Sequence, residues 1–172
     1  MPLLNTLATP YAEALLQVTN ARNESEEVAA QCKELIALWD SSDSLRDAMT
    51  SPVLEPTAKK KALEQLLSQQ VQPSLLNLLK VLADRYRLTA FDAVLGRYLE
   101  LYRESRKISL AHVRSAQALS DSQKASLTAK VQSMVGSGSV EIDLTIDPSL
   151  IGGFVINVGS QVIDASLSGQ VR

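Results

Sequence analysis

The chain of 172 residues has few of the residues that carry most protein chemistry. It contains one cysteine, Cys32, one histidine, His112, and one tryptophan, together with two phenylalanines and four tyrosines. A single cysteine excludes an intrachain disulfide, and a single histidine with no cysteine near it does not provide the usual ligands of a zinc site. A serine triad would have to use His112, but the sequence has no Gly-x-Ser-x-Gly elbow. We therefore expect no disulfide, no metal and no catalytic residue.

An excess of charge of one sign is also missing. The 17 Lys and Arg residues are balanced by 19 Asp and Glu, for a net charge of −2. Nucleic-acid binding requires a concentrated positive surface, and the only basic run, Lys59 to Lys61, is interpreted as a solvated helix face. No apolar run approaches the roughly 18 residues of a membrane span, and the N-terminus lacks the basic region of an export signal. We expect no nucleic-acid partner and a protein that stays in the compartment where it is made.

Glycine-rich phosphate loops are scarce as well. The two candidates are residues 136–138 and Gly152-Gly153. Neither is followed by the Lys-Ser/Thr of a P-loop, and the residues after Gly153 have the pattern of a strand rather than of a helix. These glycines are interpreted as helix ends and tight turns, and no cofactor is expected.

Apolar residues at three- and four-residue spacing predict six helices in the first two thirds of the chain. Helix one either begins at Thr9-Pro10 or begins earlier and is kinked there. Asn23 followed by Glu26 has the spacing of a capping box for helix two. The third helix stops before Pro52, Pro56 opens the fourth, the fifth runs from Ser74 to Ala83, and the sixth runs from about Thr89 to Ser105.

Helix five is apolar around nearly its whole circumference. Such a helix is either buried on all sides or presents one face to a partner. Helix one carries a stripe of Tyr11, Ala14, Leu15 and Val18. The surplus face of helix five beside this stripe could form a groove for an amphipathic helix, with small Ala14 allowing close approach. The alternative is that the bundle buries both faces itself.

The pattern changes after Lys107. Residues 107–114 predict a strand, Ser120 with Gln123 predicts a capped helix, and residues 140–146 alternate as a half-buried strand. Residues 154–163 predict a hairpin whose Gly159-Ser160 loop suits a type II′ turn. The predicted fold class is α+β: an N-terminal six-helix bundle, residues 1–106, followed by a small C-terminal α+β module with a β-hairpin, residues 107–172.

The carboxylates Asp143, Asp147 and Asp164 lie near the hairpin. A small hydrolase or transferase could use His112 with Asp143 or Asp164, and this alternative stays open. By elimination, however, the residue types favour a partner-binding protein, and a helix-binding adaptor is the broader form of that hypothesis.

Four segments resemble one known family, the delta subunit of bacterial and chloroplast F-type ATP synthase, a relative of the mitochondrial oligomycin-sensitivity-conferring protein. They are PYAEAL at residues 10–15, LADRYRL at 82–88, DPSLIGG at 147–153 and VIDASLSG at 162–169. The resemblance extends over essentially the whole chain, and the Gly-Gly followed in register by Ile-Asp-Ala-Ser is its most specific part.

The resemblance implies a non-catalytic stator subunit that takes part in ATP synthesis and proton transport. In this family the helical bundle binds the N-terminal helix of an alpha subunit between its first and fifth helices, and the C-terminal part meets the b subunits of the peripheral stalk. The membrane association is then peripheral, through the complex, at the cytoplasmic face of a plasma membrane or at a thylakoid membrane. Carried over by position, the alpha-binding residues are Tyr11, Ala14, Leu15, Val18, Leu78, Val81 and Leu82, with Asn77, Asp84 and Arg85 at the rim.

No residue is assigned to the b subunits. Members of the family usually continue into a further basic and apolar helix, whereas this sequence ends three residues after Gly169.

Overall fold

The computed structural model describes residues 2–136, 139–150, 152–159 and 161–164. Within these ranges the chain is an α+β protein with seven α-helices, one short 3₁₀ helix and a four-stranded mixed sheet. It divides into two compact units, residues 1–102, here called the helical unit, and residues 103–172, here called the sheet unit.

The helices that precede the first strand are short and closely spaced. They are α1 (Pro2–Ala21), α2 (Ser25–Ser41), α3 (Asp43–Thr50), α4 (Pro56–Leu67), α5 (Pro73–Asp84), a 3₁₀ helix (Leu88–Ala90) and α6 (Phe91–Arg106), whose last turn belongs to the sheet unit. Pro56 and Pro73 each occupy the first turn of a helix, where the missing N–H breaks no hydrogen bond. The helix starts predicted from these two prolines agree with the structure.

Two predicted helix starts need comment. Pro10 lies inside α1, so helix one begins before Thr9-Pro10, and the kink there stays a prediction. The capping box predicted at Asn23 is wrong, because Asn23 has a left-handed backbone with φ 55° and Glu24 is the N-cap residue of α2. Glu24 makes no side-chain cap hydrogen bond. Its carboxylate instead accepts a hydrogen bond from Ser74 on α5.

Aromatic side chains lie at the centre of the helical unit. The rings of Trp39 and Phe91 stack with their centroids 4.4 Å apart, which joins α2 to α6. Tyr98 is fully buried, and its hydroxyl hydrogen-bonds with the Thr19 hydroxyl and donates to the carbonyl oxygen of Ser25, both at 3.0 Å. A buried hydroxyl without partners would cost free energy, so these bonds are what allow a tyrosine here. Together they tie α6 to the end of α1 and the start of α2.

The sheet unit has the predicted order strand, helix, strand, strand, strand. Its elements are β1 (Ile108–Ser115), α7 (Asp121–Val135), β2 (Ser139–Ile146), β3 (Phe154–Val158) and β4 (Gln161–Asp164). The strands lie in the order β2-β1-β3-β4, with β1 parallel to β2 and antiparallel to β3, and β3 antiparallel to β4. The parallel pair is connected through α7, as a parallel connection requires.

Alternation along the strands places one face of the sheet against α7. Ala111, Val113 and Ile156 are buried with Leu127 and Val131 of the helix. The capping box of Ser120 and Gln123 is confirmed, and Gly136 ends α7 with a left-handed backbone. Two features of β2 differ from the prediction, since Ile146 is exposed and Glu141 is half-buried. β2 is an edge strand, with a neighbouring strand on one side only.

The hairpin of β3 and β4 is present. Val158 pairs with Gln161, which leaves a two-residue loop as predicted. Gly159 has φ 58°, in the region glycine adopts without strain. Ser160 lies outside the described residues, so the type II′ turn stays a prediction. Ile151 and residues 165–169 of the family-specific segments also lie outside them.

Candidate helix-binding groove

A groove runs between α1 and α5 on the surface of the helical unit. It encloses about 450 Å³. Its walls are formed by Ala14, Leu15, Val18, Arg22, Ser74, Asn77, Leu78 and Val81.

Two valines are the clearest sign that this surface is incomplete by itself. Val18 on α1 is 45% exposed and Val81 on α5 is 41% exposed, although both belong to apolar stripes. Between them lie half-buried Leu78 and buried Leu15, so the floor of the groove is apolar. The alanine at position 14 adds little bulk to the α1 wall. The arrangement matches the i, i+3 and i+4 anchors of an amphipathic helix lying in a groove.

Helices α1 and α5 run in opposite directions along the groove. At one end, the Glu24 carboxylate just after α1 accepts a hydrogen bond from Ser74 in the first turn of α5, at 2.7 Å. At the other end, Arg87, just after α5, donates to the hydroxyl of Tyr11 on α1, also at 2.7 Å. These two side-chain contacts fix the spacing of the two walls.

Six of the residues predicted for the alpha-binding surface line the groove: Ala14, Leu15, Val18, Asn77, Leu78 and Val81. The other four do not. Leu82 is fully buried in the core, so the prediction that it contacts a partner is wrong, and it supports the groove from beneath. Tyr11 is half-buried, with the Arg87 guanidinium 5.8 Å from its ring centre. Asp84 pairs with Lys60 at 2.8 Å, and Arg85 is exposed outside the lining.

Sequence reasoning missed two lining residues, Arg22 and Ser74. Ser74 opens helix five and Arg22 directly follows α1, so neither belongs to an apolar stripe. Their role depends on the antiparallel packing of α1 on α5, which brings positions 52 residues apart to one end of the groove. No local spacing could have shown this.

The residues of the hydrolase hypothesis lie elsewhere, in the sheet unit. His112 on β1 and Asp143 on β2 are register partners, with Nδ1 and Oδ2 3.2 Å apart. Both side chains are 59% exposed. They lie on an open strand surface. This geometry is that of an exposed surface pair rather than of an enclosed active site.

The described residues also give no support for a reactive thiol, a metal site or a membrane span. Cys32 is buried, and desolvation raises the pKa of its thiol far above the usual range, which makes it unreactive. No group of three or more His, Cys, Asp and Glu residues in these ranges could hold a metal ion. None of the helices described here has the length and apolar character of a membrane span.

The sheet unit has a second cavity of about 590 Å³. It lies between α7, the segment after β1 and the Gly152-Gly153 turn. Both glycines have φ 71°, a backbone that favours glycine, and they lead directly into β3. The Lys130 amine lies 5.5 Å from the centre of the Phe154 ring at this cavity. The glycines therefore shape a turn at the cavity edge.

Comparison with known proteins identifies what this chain is similar to. The family model described as ATP synthase delta (OSCP) subunit matches residues 7–172. An ATP synthase subunit delta of Synechococcus sp. (strain WH7803) is 83% identical over 172 residues, all of this chain and 94% of that relative. The corresponding organellar chromatophore protein of Paulinella chromatophora is 60% identical over the same 172 residues and 94% of its length.

A solved structure has the same fold. A chain in the cryo-EM structure of the Toxoplasma gondii mitochondrial ATP synthase hexamer superimposes with a TM-score of 0.75 at 21% identity. The match covers 96% of this chain and 93% of that one. At this identity the likeness concerns the fold alone.

Proposed function

Because this chain belongs to the ATP synthase delta (OSCP) subunit family, we propose that the groove between α1 and α5 binds the N-terminal helix of a synthase alpha subunit. The chain is a non-catalytic component of the F-type ATP synthase, a subunit of the stator in the peripheral stalk. The unrelated adaptor and the hydrolase using His112 are not favoured, because the family match covers residues 7–172.

The observation that supports this proposal is the pair of exposed valines facing each other over an apolar floor. An amphipathic helix placed there would cover Val18, Leu78 and Val81, and each would gain part of the about 1.5–3 kcal/mol that full burial of an aliphatic side chain contributes. We treat α1 to α6 as one six-helix bundle that serves as the rigid support for this contact. The fully buried Leu82 and Leu79 beneath the groove keep its floor in place.

A stator must resist the torque of the rotor, so that rotation changes the conformation of the catalytic head instead of turning the head. This task requires contacts that last longer than one turn of the rotor. It does not require a reactive group. Nanomolar affinity corresponds to about −12 kcal/mol, and a few buried anchors worth about 2 kcal/mol or more each supply much of that. A preformed apolar groove is suited to provide such anchors.

We further infer that the sheet unit meets the b subunits of the peripheral stalk. Its thin core gains stability from docking on a partner. The protein then works peripherally at the cytoplasmic face of a plasma membrane or at a thylakoid membrane, held there by the complex.

The groove is tested by titrating the protein with a synthetic peptide of the alpha-subunit N-terminal segment from the same organism. Val81→Asp places a charge on the groove wall, and we expect affinity to fall at least about tenfold, or about 1.4 kcal/mol. The matched control is Val53→Asp, because Val53 is an exposed valine of the helical unit outside the groove. Equal affinities for the folded Val81→Asp protein and the unaltered protein would remove the groove assignment.

A further inference from the structure

The groove has charge at one end only. Among the described residues that line it, Arg22 is the single charged one, and it stands directly after the last turn of α1. The side chain is 58% exposed. Leu78 and Val81 make the opposite part of the groove apolar.

The neighbouring acidic side chain, Glu24, makes only a weak contact with the Arg22 guanidinium. Glu24 Oε1 lies 4.0 Å from Arg22 Nη1, at the limit of an ion pair, and accepts the much shorter hydrogen bond from Ser74 at 2.7 Å. The Glu24 side chain is also largely buried, whereas that of Arg22 is not. A guanidinium carries five N–H donors in a planar fork, so most of them remain available to a second carboxylate.

Two fixed dipoles act at the same end of the groove. The α5 N-terminus, next to Ser74, carries a partial positive charge and favours a negative group. The C-terminus of α1 carries a partial negative charge, which favours a cation such as Arg22 directly after it. At the other end, the Asp84 carboxylate pairs with Lys60 at 2.8 Å and Arg87 donates to the Tyr11 hydroxyl, and none of these four residues lines the groove.

From this asymmetry we propose that Arg22 sets the direction in which a helix lies in the groove, by pairing with an acidic side chain at one end of the helix's apolar stripe. The occupant is an amphipathic helix with apolar anchors along Leu15, Leu78 and Val81 and a carboxylate that reaches Arg22. The inference rests on the proposed function and adds an orientation and a specificity residue to it. A helix in the reverse direction would carry its acidic end away from Arg22.

The test uses the full chain and the same alpha-subunit N-terminal peptide, at low salt. Arg22→Gln keeps the length of the polar side chain and removes the charge, and we expect affinity to fall about threefold to fivefold, as for a partly exposed ion pair. The acidic residues of the peptide are then neutralised one at a time. We expect one of these substitutions to weaken binding to the unaltered protein and to leave binding to the Arg22→Gln protein unchanged. Lys61→Gln is the matched control, since Lys61 is an exposed cation of the helical unit that does not line the groove.

A charge swap separates recognition from a structural role in α1. Arg22→Glu should weaken binding of the unaltered peptide about tenfold, and a lysine at the identified acidic position of the peptide should restore most of the loss. A protein damaged at the end of α1 would not be rescued in this way. A nitroxide label at the acidic end of the peptide should broaden the amide signals of Arg22 and Ser74 more than those of Tyr11 and Val81, and buried Cys32 does not exchange with the label.

The outcomes distinguish the two proposals. Failure of the unaltered protein to bind the peptide would overturn the groove assignment and with it the orientation. Binding that is unchanged by Arg22→Gln, or label broadening at the Tyr11 end, would overturn the orientation and leave the groove assignment standing.

Discussion

Among the described residues, the helical unit buries 24 side chains in one hydrophobic cluster, whereas the sheet unit buries six. The described residues of the two units number 101 and 58, so the difference in buried side chains exceeds the difference in size. The helical unit has a complete core and still leaves Val18 and Val81 exposed. In the described part of the sheet unit, α7 packs against one face of the sheet. An exposed apolar surface on a well-packed unit indicates a binding site, whereas a thin core indicates a unit that gains stability from partners.

The largest expected effect on stability comes from the thin core. Ile156 is fully buried at the centre of the sheet, and Ile156→Ala should cost the sheet unit about 2–5 kcal/mol. With so few other buried side chains, this loss is a large share of the stability of a unit of this kind. Hydrogen exchange at the β1 amides should accelerate strongly, while urea unfolding followed by Trp39 fluorescence, which reports on the helical unit, should change little.

Leu95→Ala provides the comparison in the helical unit, because Leu95 is also fully buried. It should shift the Trp39 transition by a similar free energy and leave β1 exchange unchanged. If each variant changed both probes by the same free energy, the two clusters would unfold as one cooperative unit. The contrast between the helical unit and the sheet unit would then be wrong.

A smaller effect is expected at the buried hydroxyl of the helical unit. Tyr98→Phe leaves the carbonyl oxygen of Ser25 and the hydroxyl of Thr19 without that partner, at a cost of about 1–3 kcal/mol. Urea unfolding at neutral pH measures the loss. Thr19 keeps its bond to the Leu16 carbonyl, which limits the cost on that side.

The same tyrosine predicts a pH dependence. Burial raises the pKa of Tyr98 from 10.0 to about 12. Its ionised form is therefore less favourable in the folded protein than in the unfolded chain, so the contribution is complete below pH 10 and is lost as the pH rises to about 12. The difference in stability between the unaltered protein and Tyr98→Phe should shrink over this interval. A constant difference would contradict the assignment.

The smallest expected effect concerns the cap of α7. Ser120→Ala removes the hydroxyl that accepts from the Gln123 amide and should cost the sheet unit about 1 kcal/mol. Thermal unfolding followed by circular dichroism measures this. Ser133→Ala is the matched control, an exposed serine near the other end of the same helix, and an equal loss there would show that the cap is not the cause.

Local signals predicted the sheet unit well. The capping box at Ser120, the alternation along β3 and the two-residue loop after Val158 are each decided by neighbouring residues, and each was found. The Asn23 capping box failed although its spacing was correct. Asn23 has a left-handed backbone, and the Glu24 carboxylate binds Ser74, 50 residues away. A tertiary contact decided that position.

The groove shows the same division between features that local sequence predicts and features that tertiary contacts decide. The apolar circumference of α5 predicted either a partner-binding face or burial on all sides. Periodicity could not show that Leu78 and Val81 lie at the surface and Leu82 in the core. Asp84 was predicted for the rim from the family resemblance, but its pairing with Lys60 depends on where α4 packs. Arg22 was missed because it comes close to α5 only when the chain folds.

The sequence by itself determined the element types, most of their starts, the α+β class and, through its motifs, the resemblance to the delta subunit family. These depend on local propensity, on proline and glycine geometry and on the spacing of apolar residues, all of which act over a few positions. Only the tertiary structure decided which apolar side chains stay exposed, which polar groups close the ends of the groove and where its single charge lies. Those properties arise from the packing of α1 against α5, because burial and charge pairing depend on neighbours that the chain brings together only when it folds.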